Sequence, residues 1–218
     1  MAERLSRRSF LTGAAGVLAW TSTASWRSAA GATMTEKFDP ERFIDDVKRA
    51  NRERESQRAV DEVLLRTISE PSSVLKGLGE PKEAGFDTLY HAEDLTILNV
   101  IWAPLMVLLP HNHNVWASIG IYTGREDNIM WEERGPVIEA VRAASLSEKE
   151  VFPLSHDAIH SVTNPIRRLT GAIHIYGGDF FAPGRSEWDP ESLDERPFDI
   201  EALRATFREA NERFKMGR

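Results

Sequence analysis

Residues 109–124 read LPHNHNVWASIGIYTG and contain a His-x-His pair, His111 and His113. Side chains two residues apart on a β-strand point to the same face of the sheet, so the pattern predicts two imidazoles side by side. Neighbouring imidazole nitrogens suit a transition metal. An isolated pair of this kind is more often an ordinary packing or surface feature. The prediction of a metal site therefore depends on the other histidines.

The remaining histidines lie in the same part of the chain. All six fall between residues 91 and 174, and residues 155–164, about fifty positions after the pair, read SHDAIHSVTN. The chain has no cysteine, which excludes disulfides, thiolate metal sites and a cysteine nucleophile. Any metal must therefore be held by His, Asp or Glu.

Length and charge restrict the possible partners. A chain of 218 residues holds one sizeable domain with flanking segments. The formal net charge of −7 argues against nucleic acid or an anionic membrane surface as a partner.

Residues 1–32 have the features of an export signal. SRRSFL at residues 6–11 resembles the twin-arginine signature, and an apolar run to Trp20 is followed by small residues ending at Ala32. The run is too short to span a membrane. We expect the twin-arginine machinery to export the folded, metal-loaded protein to the periplasm, with no membrane span in the mature form. The alternative is that translation starts at Met34, which would leave the protein in the cytoplasm.

The pattern of apolar residues predicts helices at both ends and strands between them. Asp39-Pro40 is typical of a helix start, a second helix ends before Pro71, and Gly77, Gly79 and Pro81 then mark a loop. Short strand-like runs from about residue 86 to 176 predict a sandwich or barrel of about seven strands. Residues 136–146 are predicted as one helical turn or a loop. A closing helix capped near Asp199 is predicted to have a structural role.

The two histidine clusters resemble the two motifs of the cupin superfamily, His-x-His followed by His-x-x-x-Asn. The resemblance implies a mainly β jelly roll, the double-stranded β-helix, with flanking N- and C-terminal helices and with His111, His113 and His160 as metal ligands. His156 is out of phase with the motif, and we expect it in a loop or at the surface. The usual glutamate ligand is missing, because Ala117 and Ser118 occupy its positions.

A three-histidine cupin without that glutamate resembles the thiol dioxygenases, the family of cysteine dioxygenase and 3-mercaptopropionate dioxygenase. The resemblance covers about residues 86–187 and implies Fe(II) as cofactor, with O₂ and a small thiol as substrates. The segment from His174 to Tyr176 looks like the family's His-x-Tyr pair, which implies catalytic roles for both. Arg185 matches the position of a carboxylate-binding arginine, and His91 lies near that of another polar substrate contact.

Three features of the sequence depart from the family's pattern. The absence of cysteine excludes a Cys–Tyr crosslink, Ala172 replaces the serine that precedes His174 by two residues, and Asp157 stands where the second motif usually has glycine. None of these changes removes a predicted iron ligand.

The sequence predicts four segments: a signal peptide at 1–32, a helical segment at 33–84, a cupin metal-binding domain at 85–187 and a loop and helix at 188–218. The predicted function is a mononuclear non-haem Fe(II) dioxygenase that oxidises a 3-mercaptopropionate- or cysteine-like thiol to its sulfinate. The alternatives are another metal-dependent cupin enzyme, such as a non-thiol dioxygenase or an isomerase, and a non-catalytic cupin that binds a small ligand in the periplasm.

Overall fold

The computed structural model describes residues 37–135 and 137–216. The predicted signal peptide at 1–32 and the alternative start at Met34 lie outside the described residues. In the described part of the chain, no helix is long and apolar enough to cross a membrane.

Three helices precede the sheets: α1 (Pro40–Ala50), α2 (Ser56–Ile68) and α3 (Pro71–Leu78). Asp39 caps α1 by accepting hydrogen bonds from the backbone N–H groups of Glu41 and Arg42, as predicted. Gly79 and Pro81 lie in the predicted loop before the first strand, but Gly77 belongs to α3, a helix that was not predicted and that begins at Pro71. This proline occupies the first turn of α3, where a backbone N–H would have no partner within the helix, so its lack of an N–H costs no hydrogen bond. Buried Val74 anchors the helix.

In residues 37–135 and 137–216, eleven strands form two antiparallel sheets, which confirms the prediction of a double-stranded β-helix with flanking helices. The five-stranded sheet has the order β1-β2-β9-β4-β7, and the six-stranded sheet has the order β11-β10-β3-β8-β5-β6. The strands are β1 (Gly85–Ala92), β2 (Leu95–Trp102), β3 (Val107–Asn112), β4 (Ala117–Thr123), β5 (Arg125–Arg134), β6 (Val137–Ser147), β7 (Val151–Leu154), β8 (Ile159–Thr163), β9 (Thr170–Tyr176), β10 (Ser186–Trp188) and β11 (Glu195–Pro197).

The largest error of the sequence prediction is β6, whose residues were expected to form a helical turn or a loop. β6 pairs with β5 along its whole length and forms the edge of the six-stranded sheet. Most of its side chains are exposed, so the burial that produces an alternating apolar pattern is absent. The strand is defined by its hydrogen bonds to β5, and these bonds cannot be recognised from the residue types of the segment.

The five-stranded sheet is buried on both faces. Leu98, Val100 and Trp102 of β2 pack inside the barrel, whereas Ile97 and Ile101 pack in a second cluster with α1 and α2. This two-sided burial explains why β2 is apolar along nearly its whole length.

The C-terminal helix α4 (Ile200–Met216) packs against the barrel. Asp199 accepts hydrogen bonds from two backbone N–H groups of its first turn, which confirms the predicted cap. The Phe207 ring stacks on Trp102 at 5.4 Å between centroids, so α4 contacts the inner core directly.

Candidate metal centre

Two paired strands bring the predicted ligands together. β3 and β8 are neighbours, and His111 lies directly opposite His160 in their register. His113 follows one residue after the end of β3, so the strand alternation used in the prediction does not place it. The chain turns at Asn114, which has φ 55°, and His113 still faces the other two rings. All three histidines are buried, and their ligand atoms lie within 4.8 Å of one another.

Hydrogen bonds orient two of the three rings. His111 Nδ1 lies 2.9 Å from the Leu109 carbonyl oxygen, and His160 Nδ1 lies 2.7 Å from Asn128 Oδ1. Because both acceptors are oxygens, each Nδ1 carries the proton and each Nε2 has a free lone pair. This is the usual way in which an outer hydrogen bond prepares an imidazole for metal binding.

Burial also keeps the three rings neutral. It lowers the pKa of His111 to about 3, with a further contribution from the positive charge of Arg185. Burial lowers the pKa of His113 and of His160 well below the ordinary value, and repulsion between the neighbouring imidazoles adds to this effect. Neutral imidazoles are the form that binds metals, so no proton competes for the site at neutral pH.

The fit of a metal rests on unpaired atoms. His160 Nε2 and His113 Nδ1 are buried and have no hydrogen-bond partner among the described residues. Buried polar atoms are normally satisfied, and a divalent cation would satisfy His160 Nε2 by coordination. Ala117 packs inside the barrel and Ser118 instead bonds Asp61 of α2 at 2.5 Å, so neither supplies a ligand.

The predicted His174–Tyr176 pair lies on β9, which is central in the five-stranded sheet. His174 Nδ1 and Tyr176 Oη are 3.1 Å apart, a hydrogen-bond distance. The Tyr176 ring centroid is 5.0 Å from that of His113, which places the pair beside the histidine cluster. Burial raises the pKa of Tyr176, so its hydroxyl keeps its proton at neutral pH.

Arg185 comes from the loop after β9 and is 5% exposed. Its Nε donates to the Asn112 carbonyl and its Nη1 to the Phe180 carbonyl, each at 2.9 Å. The guanidinium carbon lies 4.3 Å from the Phe180 ring centroid and 3.9 Å from that of Phe198. Nη2 is buried and has no hydrogen-bond partner in the described part of the chain. Although burial lowers the pKa of Arg185 to about 10, the group remains cationic at neutral pH.

The structure does not bring His91 to the cluster. Its side chain is 44% exposed, its Nε2 lies 2.8 Å from Asp179 Oδ1, and its ring meets that of Phe181 edge-on. His156 is exposed, as expected.

The metal ligands, the His174–Tyr176 pair and Arg185 share one cavity. Its volume is about 30 Å³, enough for about two water molecules. The cavity thus suits a metal ion and a small ligand better than a large carbon skeleton. Its remaining walls are apolar: Phe86, Leu98, Val100, Trp102, Leu108, Val162, Phe180, Phe198, Leu203 and Phe207.

Sequence reasoning missed two parts of the site. The closing helix α4 was predicted as structural only, but its Leu203 and Phe207 line the cavity. The second omission is a polar pair on β5, Glu126 and Asn128, which are both completely buried. Their alternation along the strand was an available signal, but they belong to a polar run that reads as a turn.

Comparisons with known proteins found similar solved structures but no matching family model or curated protein. A cupin family protein with a double-stranded β-helix fold from Methanocaldococcus jannaschii is 11% identical, with a TM-score of 0.40, over 47% of this chain and 86% of that one.

Two further solved structures show the same degree of likeness. An uncharacterised double-stranded β-helix protein from Klebsiella pneumoniae is 11% identical, with a TM-score of 0.40, over 50% of this chain and 83% of that one. A Bacillus subtilis oxalate decarboxylase is 13% identical, with a TM-score of 0.38, over 47% of this chain but only 28% of that one. Likeness at this level carries no information on activity. The double-stranded β-helix and the buried three-histidine cluster of this chain together fit the cupin superfamily.

Proposed function

We propose that this protein is a mononuclear non-haem iron dioxygenase that oxidises a small carboxylate-bearing thiol to its sulfinate. The observation that carries the proposal is a single narrow cavity in which three neutral imidazoles, a buried tyrosine hydroxyl and a buried guanidinium face one another. Ligand sets of imidazoles without thiolate are suited to iron, although zinc, copper and nickel also accept them.

The three imidazoles would hold the metal through nitrogen atoms alone. Ferrous iron bound there would retain open positions for a thiolate and O₂ and would lower the thiol pKa. The overall reaction is balanced without another reductant, because sulfur loses four electrons in becoming a sulfinate and O₂ gains four. Both oxygen atoms enter the product.

Arg185 would select the substrate. Its Nε and Nη1 are held by backbone carbonyls, which leaves buried Nη2 available to a carboxylate. Among the described residues that line the cavity, none carries a carboxylate that could pair with a substrate ammonium group. This favours a 3-mercaptopropionate-like acid over cysteine.

Tyr176 would supply a proton at the cavity wall. Its hydroxyl stays protonated and is in hydrogen-bond contact with His174. Oη can therefore share its proton with His174 or with a ligand in the cavity, and rigid strands β2, β4 and β9 hold it in place.

The proposal includes export. The leader at residues 1–32 would direct the metal-loaded protein through the twin-arginine machinery, and this is tested by sequencing the N-terminus of the periplasmic protein. A cytoplasmic protein beginning at Met34 would contradict it.

The decisive experiment combines metal analysis of anaerobically purified protein with an oxygen electrode. We expect stoichiometric iron, and O₂ uptake on addition of 3-mercaptopropionate, cysteine or cysteamine, with the acid that lacks an ammonium group as the best substrate. Iron or another metal without thiol-dependent uptake would favour a different metal-dependent cupin enzyme. Absence of any metal would favour a ligand-binding cupin.

A further inference from the structure

Glu126 is a carboxylate inside the protein to which the proposed reaction assigns no role. It lies at the start of β5 and is 0% exposed, yet it does not line the cavity. A charged group in such a place is costly unless specific partners compensate for the loss of water. Its partners lead to two different parts of the site.

The first connection leads to a metal ligand. Glu126 Oε1 accepts a hydrogen bond from Asn128 Nδ2 at 3.0 Å. This bond fixes the orientation of the Asn128 amide, so that Asn128 Oδ1 accepts from His160 Nδ1 at 2.7 Å. The chain of bonds thus determines that Nε2 is the atom of His160 that faces the other imidazoles.

The second connection leads to the His174–Tyr176 pair. Glu126 Oε2 accepts a hydrogen bond from Trp102 Nε1 at 2.7 Å and lies 3.6 Å from His174 Nε2. Ala172, two residues before His174, offers no hydroxyl to that ring. Electrostatic attraction to Glu126 therefore favours a proton on Nε2, and Nδ1 is left to interact with the Tyr176 hydroxyl.

The hydrogen bonds of Glu126 are those of a carboxylate. Both of its oxygens accept hydrogen bonds from N–H donors, which is what a carboxylate requires. The three ligand imidazoles are neutral and bring no negative charge to balance a divalent cation. Glu126 supplies such a charge two hydrogen bonds away from the metal-facing ring.

We propose that Glu126 is a positioning residue that orients His160 through Asn128 and His174 directly, and that it supplies the negative charge absent from the ligand set. The inference rests on the proposed function only in requiring a divalent metal at the three histidines. It makes the metal site and the His174–Tyr176 pair dependent on one carboxylate.

Zinc affinity tests the first connection. In Glu126→Gln, the single amide oxygen can serve only one of the two N–H donors, so we expect zinc binding, measured by competition with a chelator, to weaken roughly ten- to a hundredfold. Asn128→Ala is expected to weaken it to a similar degree. Asp61→Asn is the matched control, because this carboxylate also bonds a strand side chain but lies outside the barrel, and its zinc affinity is expected to stay within about threefold of wild type.

The proposal is overturned if both Glu126→Gln and Asn128→Ala bind zinc as tightly as the Asp61→Asn control. Far-ultraviolet circular dichroism establishes that each variant is folded. The second connection is tested on the wild-type protein. This test therefore remains available even if the Glu126→Gln protein misfolds. Nitrogen-15 resonances of the zinc-loaded wild-type protein should show a proton on His174 Nε2, and an unprotonated Nε2 would overturn the proposal.

These measurements do not depend on thiol oxidation. A wild-type protein that consumes no O₂ with any thiol would refute the proposed function, while zinc affinity and imidazole protonation would still decide the role of Glu126. A dioxygenase whose zinc affinity is unchanged in both variants would keep the function and refute the positioning role.

Discussion

The two sheets meet at one cavity but hold their functional side chains by different means. The six-stranded sheet provides His111 and His160, and these rings are oriented by hydrogen bonds to Leu109 and Asn128. The five-stranded sheet provides His174 and Tyr176 from β9, which is buried along its whole length. The difference teaches that hydrogen bonds to nearby oxygen acceptors orient the two ligand rings, whereas packing on both faces of a sheet fixes the backbone that carries His174 and Tyr176 and leaves the orientation of the His174 ring to its polar neighbours, Tyr176 and Glu126.

The largest effect is expected from removing a ligand of the six-stranded sheet. His160→Ala should reduce metal content to background and abolish turnover, because two remaining imidazoles cannot hold the ion. Metal analysis and O₂ uptake measure this directly. Iron retained in the variant would contradict the ligand assignment.

The buried ligands should also make the metal-free protein sensitive to acid. Burial lowers the pKa of His111 from 6.5 to about 3, and it lowers the pKa of His113 and of His160 well below 6.5. Below pH 6.5 the unfolded chain therefore binds more protons than the folded one, so the free energy of unfolding decreases as the pH falls.

The expected slope is about 1.4 kcal/mol per pH unit for each histidine, or roughly 4 kcal/mol for the three together. Urea unfolding between pH 6.5 and 4.5 measures it, and His160→Gln should lower the slope by about one histidine's share. An identical slope in that variant would show that His160 is already protonated in the folded state.

In the five-stranded sheet, Tyr176→Phe should spare the metal and slow the reaction. The variant keeps the ring and loses only the hydroxyl that contacts His174. We expect kcat to fall roughly ten- to a hundredfold, as for the loss of one hydrogen bond that acts in the transition state. Unchanged kcat with normal iron content would remove Tyr176 from the mechanism.

Arg185→Ala should act on substrate binding, because the guanidinium lies in the cavity but is not a metal ligand. KM for 3-mercaptopropionate is expected to rise roughly tenfold or more, the size of one charged hydrogen bond. Cysteamine, which has no carboxylate, serves as the matched substrate, and its KM should change little. An equal rise for both thiols would indicate a structural role.

The smallest expected effects are changes in the free energy of unfolding, and they compare the outer faces of the two sheets. A Cβ on Gly120 of β4 would lie 2.7 Å from Leu64 Cγ in the helical layer, so Gly120→Ala should destabilise the protein by about 1–3 kcal/mol. Ile129 of β5 is exposed, and Ile129→Ala should change the free energy of unfolding by only about 0.5 kcal/mol. Urea denaturation compares the two, and equal losses would show that both faces are packed alike.

Much of the site could be predicted because its signals are local. His111 and His113 are two residues apart, His174 and Tyr176 are also two apart, and Asp39 and Asp199 each precede a helix. Short spacings translate into geometry through the strand and helix periods for His174 and Tyr176 and for the two caps, whereas His113 lies just past the end of β3 and faces the other rings because the chain turns at Asn114. The same reasoning could not identify β6, since an exposed edge strand has no apolar alternation.

Other features depend on contacts between residues that are distant along the chain. Glu126 contacts Trp102 and His174, and Phe207 reaches the cavity from the far end of the chain. His91 and Arg185 were equally plausible substrate contacts, yet one lies at the surface beside Asp179 and the other is buried between two phenylalanine rings. No spacing rule distinguishes them.

The sequence by itself determined the mainly β class of the fold and the chemistry of the three ligands, because short-range periodicity indicates most of the strands and residue type gives the imidazole nitrogens. Only the tertiary structure decided which polar groups are deprived of water. Burial keeps the imidazoles neutral, leaves Nη2 of the cavity-lining Arg185 without a hydrogen-bond partner among the described residues and removes Glu126 from water. These properties arise from the joint packing of both sheets and α4, and no single segment contains them.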